Sequence, residues 1–395
     1  MLKTNNKTLI KYVLAFLIPF VFLLSLKWNA DSAINAYENM DMYFDADVAR
    51  VISNLEDNGK ISHDRNRTHP YFSLFAVTVS KAGVYLGVPN IAFPIYKLIF
   101  GTLGAFLFWL FIYKNTNTMQ AFASLALLLT TMSFRVWSAI PETFLFSFFT
   151  LMLALNLMHL KARPEYVLLS TLAGTTTNLF LGLVHLLLEY KNRTIILKIL
   201  LSFILLAIMI AIIQQSIYPT AAHFFDIYAQ KKELKHFVES FSSTQFRVFD
   251  FFISGFIVPL SSEIKLPVTT ANLWQDFFSV TFFSSKRMML LTMLTMSTLV
   301  LTYLMALYAF IKINHKSAIS KSILIFIGFE LLLHLVYGAD PFLYSLNFTP
   351  LIIIFMSLHQ PEKLKSFAPY IFVLLAFLVQ RFNFIDPNLF AKYFF

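Results

Sequence analysis

The stretch IILKILLSFILLAIMIAIIQQS, residues 195–216, decides the fold. It carries a single charge, Lys198, and it follows Lys191 and Arg193. About 20 mostly apolar residues, rising ~1.5 Å each, cross the ~30 Å hydrocarbon layer of a bilayer. A helix suits such a run in lipid, because every backbone N–H and C=O is paired inside the segment. A membrane β-barrel would instead show short segments of alternating polarity.

Working outward, the rest of the chain repeats this pattern. Of its 395 residues 58% are hydrophobic, 17% aromatic and only 13% charged. Soluble domains carry roughly 25% charged residues. The formal charge is +10, but Lys and Arg sit mainly between apolar runs. That placement sets membrane topology, so a nucleic-acid partner is not expected. There is no Cys, which excludes disulfides and thiol chemistry. Lys3, Lys7 and Lys11 precede the first apolar run and are expected to hold it as an uncleaved helix with its start in the cytoplasm.

Apolar runs and basic flanks together predict an all-α polytopic bundle of about eleven segments. They fall near 10–27, 71–87, 90–113, 118–137, 142–160, a pair within 166–190, 195–216, 287–312, 321–338, 342–358 and 367–383. The whole chain, 1–395, reads as one transmembrane domain. Its first outer region is 28–89, with interfacial helices, and its second is 217–286. Segment 71–87 contains Lys81 and is short, so it is expected to be an interfacial or partly inserted helix. Segment 166–190 has basic residues at both ends, Lys161 and Arg163 before it and Lys191 and Arg193 after it. It is too short for two full crossings and predicts a hairpin turning at GTTTN, 174–178.

The outer loop YFDADVARVISNLEDNGKISHDRNRTHP, 43–70, holds most of the candidate chemistry. Val48, Val51, Ile52 and Leu55 recur at helical spacing and predict an amphipathic interfacial helix over 46–57. Asp47, Arg50, Asn54 and Asp57 then fall on the other face. Arg65, Arg67 and His69 follow just before the chain re-enters the membrane. Plainer roles exist for each: Asp45 suits a helix N-cap, Asp47 a first turn, and the arginines a headgroup layer. Glu142, in the outer turn SAIPE, is either a site carboxylate or a first-turn acid behind Pro141. Asp340 in GADP is either a site residue or a turn residue. Glu330 and His334 share one face of an apolar segment, as a functional pair or a packing one. His185 and Glu189 share a face near a cytoplasmic end and suit anchoring. No nucleotide-phosphate glycine loop, HExxH or Cys/His cluster occurs, so no cofactor and no metal centre are expected from these motifs. The Asp-x-Asp of Asp45 and Asp47 has hard oxygen ligands that would suit a divalent cation such as Mg or Mn.

At these residues the chain resembles the membrane-embedded C-type (GT-C) glycosyltransferases, and in particular bacterial glycosyltransferase-like membrane proteins of unassigned substrate. The likeness is carried by FDADVARVI (44–52) with HDRNRTHPYF (63–72), IPETFLFSFF (140–149), AGTTTNLFLG (173–182) and YGADPFLYSLNF (337–348). The order of these elements covers most of the chain. The resemblance implies a bacterial plasma membrane protein with its site on the extracytoplasmic face. It implies a polyprenyl-phosphate sugar as donor and a glycan, lipid or protein as acceptor, with inversion at the anomeric carbon. Asp47 or Asp45 would act as general base. Arg50, Arg65, Arg67 and His69 would hold the donor phosphate, with Glu142, Asp340 and Asn178 nearby. Many such enzymes carry a large soluble C-terminal domain, and none is evident here. That leaves acceptor recognition to 217–286 or to a partner. Two other classes compete. A transporter or flippase would show internal repeats and midplane polar residues. A surface-glycan polymerase or ligase would carry an Arg-rich late outer loop, whereas Arg247 stands alone in 217–285.

Overall fold

The computed structural model describes residues 6–26, 48–56, 63–85, 91–221, 223–225, 248, 251–252, 255–256, 286–312, 317–336 and 344–382. Among these every regular element is a helix. Helix α1 spans Asn6–Ser25 and α2 Val48–Glu56. A 3₁₀ turn, Asp64–Arg67, and a π-helical turn, Ser73–Val77, lead into α3, Thr78–Tyr85. Helix α4 runs Ala92–Asn115, with a π-helical turn at Lys97–Gly101. Then come α5 (Thr118–Thr130), α6 (Met132–Ala139), α7 (Phe144–His159), α8 (Pro164–Gly174) and α9 (Leu179–Glu189). Helix α10 is Arg193–Ile217, α11 Lys286–Lys312, α12 Ala318–Val336, α13 Ser345–Leu358 and α14 Ala368–Phe382.

Among the described residues five helices are long and apolar enough to cross a membrane: α1, α4, α10, residues Met293–Lys312 of α11, and α12. Counting the bent pair α5–α6 makes six. The chain is thus a helical membrane protein, and among the described residues five to six helices have the length of a full crossing, beside the eleven segments read from hydropathy. The remaining apolar helices, α7, α9, α13 and Ala368–Gln380 of α14, are shorter than 18 residues. They pack against the long ones, and α7 and α13 bury most of their length. The lipid-facing character of α10 shows in its exposed Leu197, Leu201, Leu205, Met209 and Ile212.

Segment 118–137, expected as one span, is broken. Its two halves meet at 58°. Thr131 is extended (φ −62°, ψ 144°) and ends α5 while capping α6, its hydroxyl oxygen accepting the Phe134 amide. The next two amides would lack intrahelical partners. Met132 N–H instead donates to Phe256 O at 3.2 Å and Ser133 N–H to Gly255 O at 2.9 Å. A piece of the 217–286 region therefore fills the break. Gly255 is obligatory there, because a Cβ would lie 1.8 Å from Thr349 Oγ1.

The amphipathic helix expected over 46–57 is present as α2, Val48–Glu56. Val51 and Leu55 are fully buried, and α2 packs on the 73–77 turn, α3 and the start of α4. Arg50 is exposed, as its polar-face position requires. Asn54 departs from expectation and is buried. It lies three residues after Val51 and beside Leu55, so the stripe that turns inward carries it along. The hairpin also stands where its flanks placed it, with α8 and α9 joined by 175–178.

Candidate functional site

The 63–73 loop is tied by one asparagine. Asn66, fully buried, donates through Nδ2 to His63 O at 3.1 Å and Ser73 Oγ at 2.8 Å, and its Oδ1 accepts the Ser73 amide at 3.1 Å. The Ser73 hydroxyl lies 2.8 Å from His63 Nδ1. With Asn66 turned in, its neighbours Arg65 and Arg67 turn out of the loop's own core, each half-buried.

Arg65 meets Glu142 across the bundle. Both contacts run through Nη2, at 3.0 Å to Oε2 and 3.3 Å to Oε1. The carboxylate side chain is 1% exposed and that of Arg65 15%. Glu142 precedes α7 rather than opening it, and its Oε2 also accepts the Thr143 amide at 2.8 Å. The Tyr96 hydroxyl donates to Glu142 O at 2.8 Å and accepts the Phe146 amide at 3.0 Å. These bonds satisfy backbone groups that a helix start leaves open. They also fix the carboxylate.

His69 joins this turn to the hairpin. Its Nδ1 lies 2.5 Å from Gly174 O and its Nε2 2.8 Å from Thr143 Oγ1. A carbonyl only accepts, so Nδ1 carries the hydrogen, and in the neutral ring Nε2 accepts from the Thr143 hydroxyl. Burial, and then the nearby Arg65 charge, push the imidazole down to about 3, against the opposing pull of the Gly174 carbonyl. His69 is therefore neutral at ordinary pH. Thr176 N–H donates to Thr68 O at 3.0 Å, a second tie between outer loop and hairpin. One turn deeper on α7, the Ser147 hydroxyl accepts from Asn178 Nδ2 at 3.0 Å and donates to Asn347 Oδ1 at 2.8 Å. Asn178 Oδ1 is buried with no hydrogen-bond partner among the described residues.

The structure thus brings together Arg65, His69, Glu142 and Asn178 from the sequence expectations, and Arg67, half-buried, shares the 3₁₀ turn of Arg65. Arg50 is exposed on α2. Asp45, Asp47, Asp57 and Asp340 lie outside the described residues. Thr143, Gly174, Tyr96 and Asn66 complete the network and were not singled out individually, although Thr143 and Gly174 fall inside the IPETF and AGTTT motifs. Among the described residues no three His, Cys, Asp or Glu side chains converge as metal ligands. Beside the hairpin turn lies an open apolar groove of about 310 Å³, lined by Thr176, Thr177, Leu179, Phe180, Leu183 and Phe329. Phe180 and Phe329 stack across it at 4.2 Å.

Comparison of the chain with protein-family models, with curated proteins and with solved structures finds no match.

Proposed function

We propose that this chain is a membrane glycosyltransferase of the GT-C kind, transferring a sugar from a polyprenyl-phosphate donor to a glycan, lipid or protein acceptor with inversion. The observation that carries the reading is the joining of a fixed arginine–carboxylate–imidazole network to an apolar groove at one hairpin turn. A lipid-linked sugar phosphate needs cationic hydrogen-bond donors for its phosphate and an apolar surface for its chain. Arg65, braced by Glu142, and Arg67 on the same turn are the donors. The groove between α9 and α12 suits an isoprenoid chain.

Depth supports the same reading. Helix α7 has 16 residues, and α8 and α9 have 11 each. At ~1.5 Å per residue these are about 24 Å and 17 Å long, against ~30 Å of hydrocarbon. The network at their tips would lie below the bilayer surface, where a lipid phosphate is reached from the side. Basic residues at the opposite end, Lys11, Lys114, Lys161, Lys191, Arg193 and Lys312, favour a cytoplasmic placement for that end and an extracytoplasmic site.

In this mechanism the acceptor oxygen attacks the anomeric carbon and the polyprenyl phosphate leaves with the bonding pair. Arginine contacts stabilise the departing phosphate, so no carboxylic acid is needed to protonate it. The acceptor hydroxyl needs a base. Asp47 and Asp45 are the sequence's candidates for it.

The experiment is an assay of purified protein in lipid nanodiscs against a panel of polyprenyl-phosphate sugars, following release of polyprenyl phosphate. Release from one donor is expected, with Arg65→Lys and Arg67→Lys weakening it. A panel that is neither bound nor turned over would remove the proposal.

A further inference from the structure

The break between α5 and α6 has no Pro or Gly of its own. Sharp kinks in helices nearly always trace to Pro, to Gly/Ser pairs, to π-bulges or to an inserted group. Here the inserted group is backbone, the carbonyls of Gly255 and Phe256. Residues 118–139, TMQAFASLALLLTTMSFRVWSA, would otherwise suit one continuous helix. In such a helix the Met132, Ser133 and Phe134 amides would donate to Leu128 O, Leu129 O and Thr130 O. In the broken form they donate to Phe256 O, Gly255 O and Thr131 Oγ1. The same three amides are bonded in either form, so their hydrogen bonds alone do not choose between the two.

Two buried hydroxyls show what the broken form gives up. Ser133 Oγ and Thr349 Oγ1 are buried and have no hydrogen-bond partner among the described residues. Both residues lie against Gly255. The Ser133 amide donates to Gly255 O at 2.9 Å, and a Cβ at 255 would lie 1.8 Å from Thr349 Oγ1. Ser and Thr inside helices can bond the carbonyl one turn back, as Thr302 and Ser357 do here at 2.6 and 2.7 Å. A continuous helix offers Ser133 the carbonyl of Leu129. Withdrawal of Gly255 lets Thr349 Oγ1 turn to Leu346 O, whose helical amide is missing because residue 350 is proline. Unpaired buried hydroxyls are unfavourable, and the continuous form relieves both. Aromatic packing opposes it. Phe251 stacks on Phe348 at 4.0 Å and Phe252 meets Tyr303 at 5.2 Å, which holds the neighbouring carbonyls in place.

We propose that α5–α6 is a two-state element, broken while the Gly255 and Phe256 carbonyls are seated and continuous when they withdraw. The change swings α6 through 58° about Thr131. It takes Trp137 from its contact with Phe144, 4.8 Å away and two residues after Glu142. The seat at 255–256 is thereby linked to the wall of the candidate site. A ligand that touches Trp137 in one form only shifts the balance between the two.

The test uses full-length protein in nanodiscs and measures one distance. The chain has no Cys, so Met119→Cys and Ala139→Cys take spin labels directly. At ~1.5 Å per residue, positions 119 and 139 lie about 26 Å apart across a 58° break and about 30 Å apart in a continuous helix. Wild type should show the short distance with a minor long component. Gly255→Val cannot seat beside Thr349, so the long distance should become the major one. Thr131→Ala is the milder variant and decides the matter if Gly255→Val does not fold. It removes the N-cap of α6 and should raise the long component about fivefold. Met132→Pro should stay short even beside Gly255→Val. Proline suits the first position of α6 behind the extended Thr131, but it breaks a continuous helix. A folded Gly255→Val protein that keeps the short distance overturns the proposal. So do Thr131→Ala distances equal to those of wild type, or a long distance in the Met132→Pro, Gly255→Val double variant. Neither donor nor acceptor is present, so each outcome is independent of the glycosyl-transfer reading.

Discussion

Gly174 ends α8 where its chain runs against α7. A Cβ built there would lie 2.3 Å from Thr150 Oγ1 and 2.8 Å from Ser147 Cα. The hydroxyl belongs to a side chain and can rotate, at the expense of its 2.9 Å bond to Ser147 O. The Cα belongs to the backbone of a buried helix and cannot. Gly174→Ala must therefore push the end of α8 away from α7 by several tenths of an ångström. The Gly174 carbonyl moves with it and loosens its bond to His69 Nδ1. Forced methyls in a packed core cost about 1–3 kcal/mol. Better helix propensity returns at most about 1 kcal/mol, less at a helix end. The expected net loss is about 1–2 kcal/mol. Thermal unfolding of the variant in detergent, followed by tryptophan fluorescence, should show a lower midpoint than wild type. Adding Thr150→Ala removes only the first clash, so the double variant should recover part of the loss. A Gly174→Ala protein at or above wild-type stability would refute the close approach of hairpin and α7.

Two further perturbations address the network. Glu142→Gln keeps an acceptor for the Thr143 amide but leaves the Arg65 charge without its carboxylate, at a cost of about 3 kcal/mol. Replacing both residues by Met should recover most of it, and a double-mutant cycle on unfolding midpoints checks this. His69 gives a pH signature whose sign follows from its lowered folded-state value. The unfolded chain takes up a proton near 6.5 that the folded protein refuses down to about 3. The stabilising contribution is therefore full above pH 6.5 and is lost as pH falls through that window, by at most ~1.4 kcal/mol per pH unit. The midpoint of wild type should fall more steeply between pH 6.5 and 4.5 than that of His69→Gln; equal slopes would refute a buried neutral imidazole.

What was legible in the sequence divides by range. The run at 195–216 forms α10 because composition alone decides a lipid-facing helix. The hairpin was legible from Lys161, Arg163, Lys191 and Arg193, since charge at both ends leaves no room for two crossings. The break at Thr131 was not, because MSFRVWSA continues the apolar pattern. Only carbonyls from 255–256, more than a hundred residues later, make the kink favourable. The number of full crossings is not fixed by hydropathy for a related reason. Hydropathy marks burial, and α7 and α13 are buried by protein rather than by their own contact with lipid. In the site, residue types were legible and partnerships were not. Arg65 and Glu142 are 77 residues apart, and nothing local to either names the other. Nothing in the sequence singles out Asn66 between its two arginines, yet its bonds to His63 and Ser73 shape the loop that presents them.

The hairpin and the arginine loop depend on each other. Residues 175–178 leave helical geometry deep in the bundle, and backbone there is tolerated only with partners inside the protein. The outer loop supplies them. Thr68 O takes the Thr176 amide and His69 Nδ1–H satisfies Gly174 O. In return the hairpin tip holds the loop where Arg65 reaches Glu142. Neither element has a full set of backbone partners without the other. A substitution that frees the loop should therefore unsettle the hairpin, and one that frees the hairpin should displace the arginines. The polar groups that satisfy the backbone of this turn are the same ones that build the candidate site.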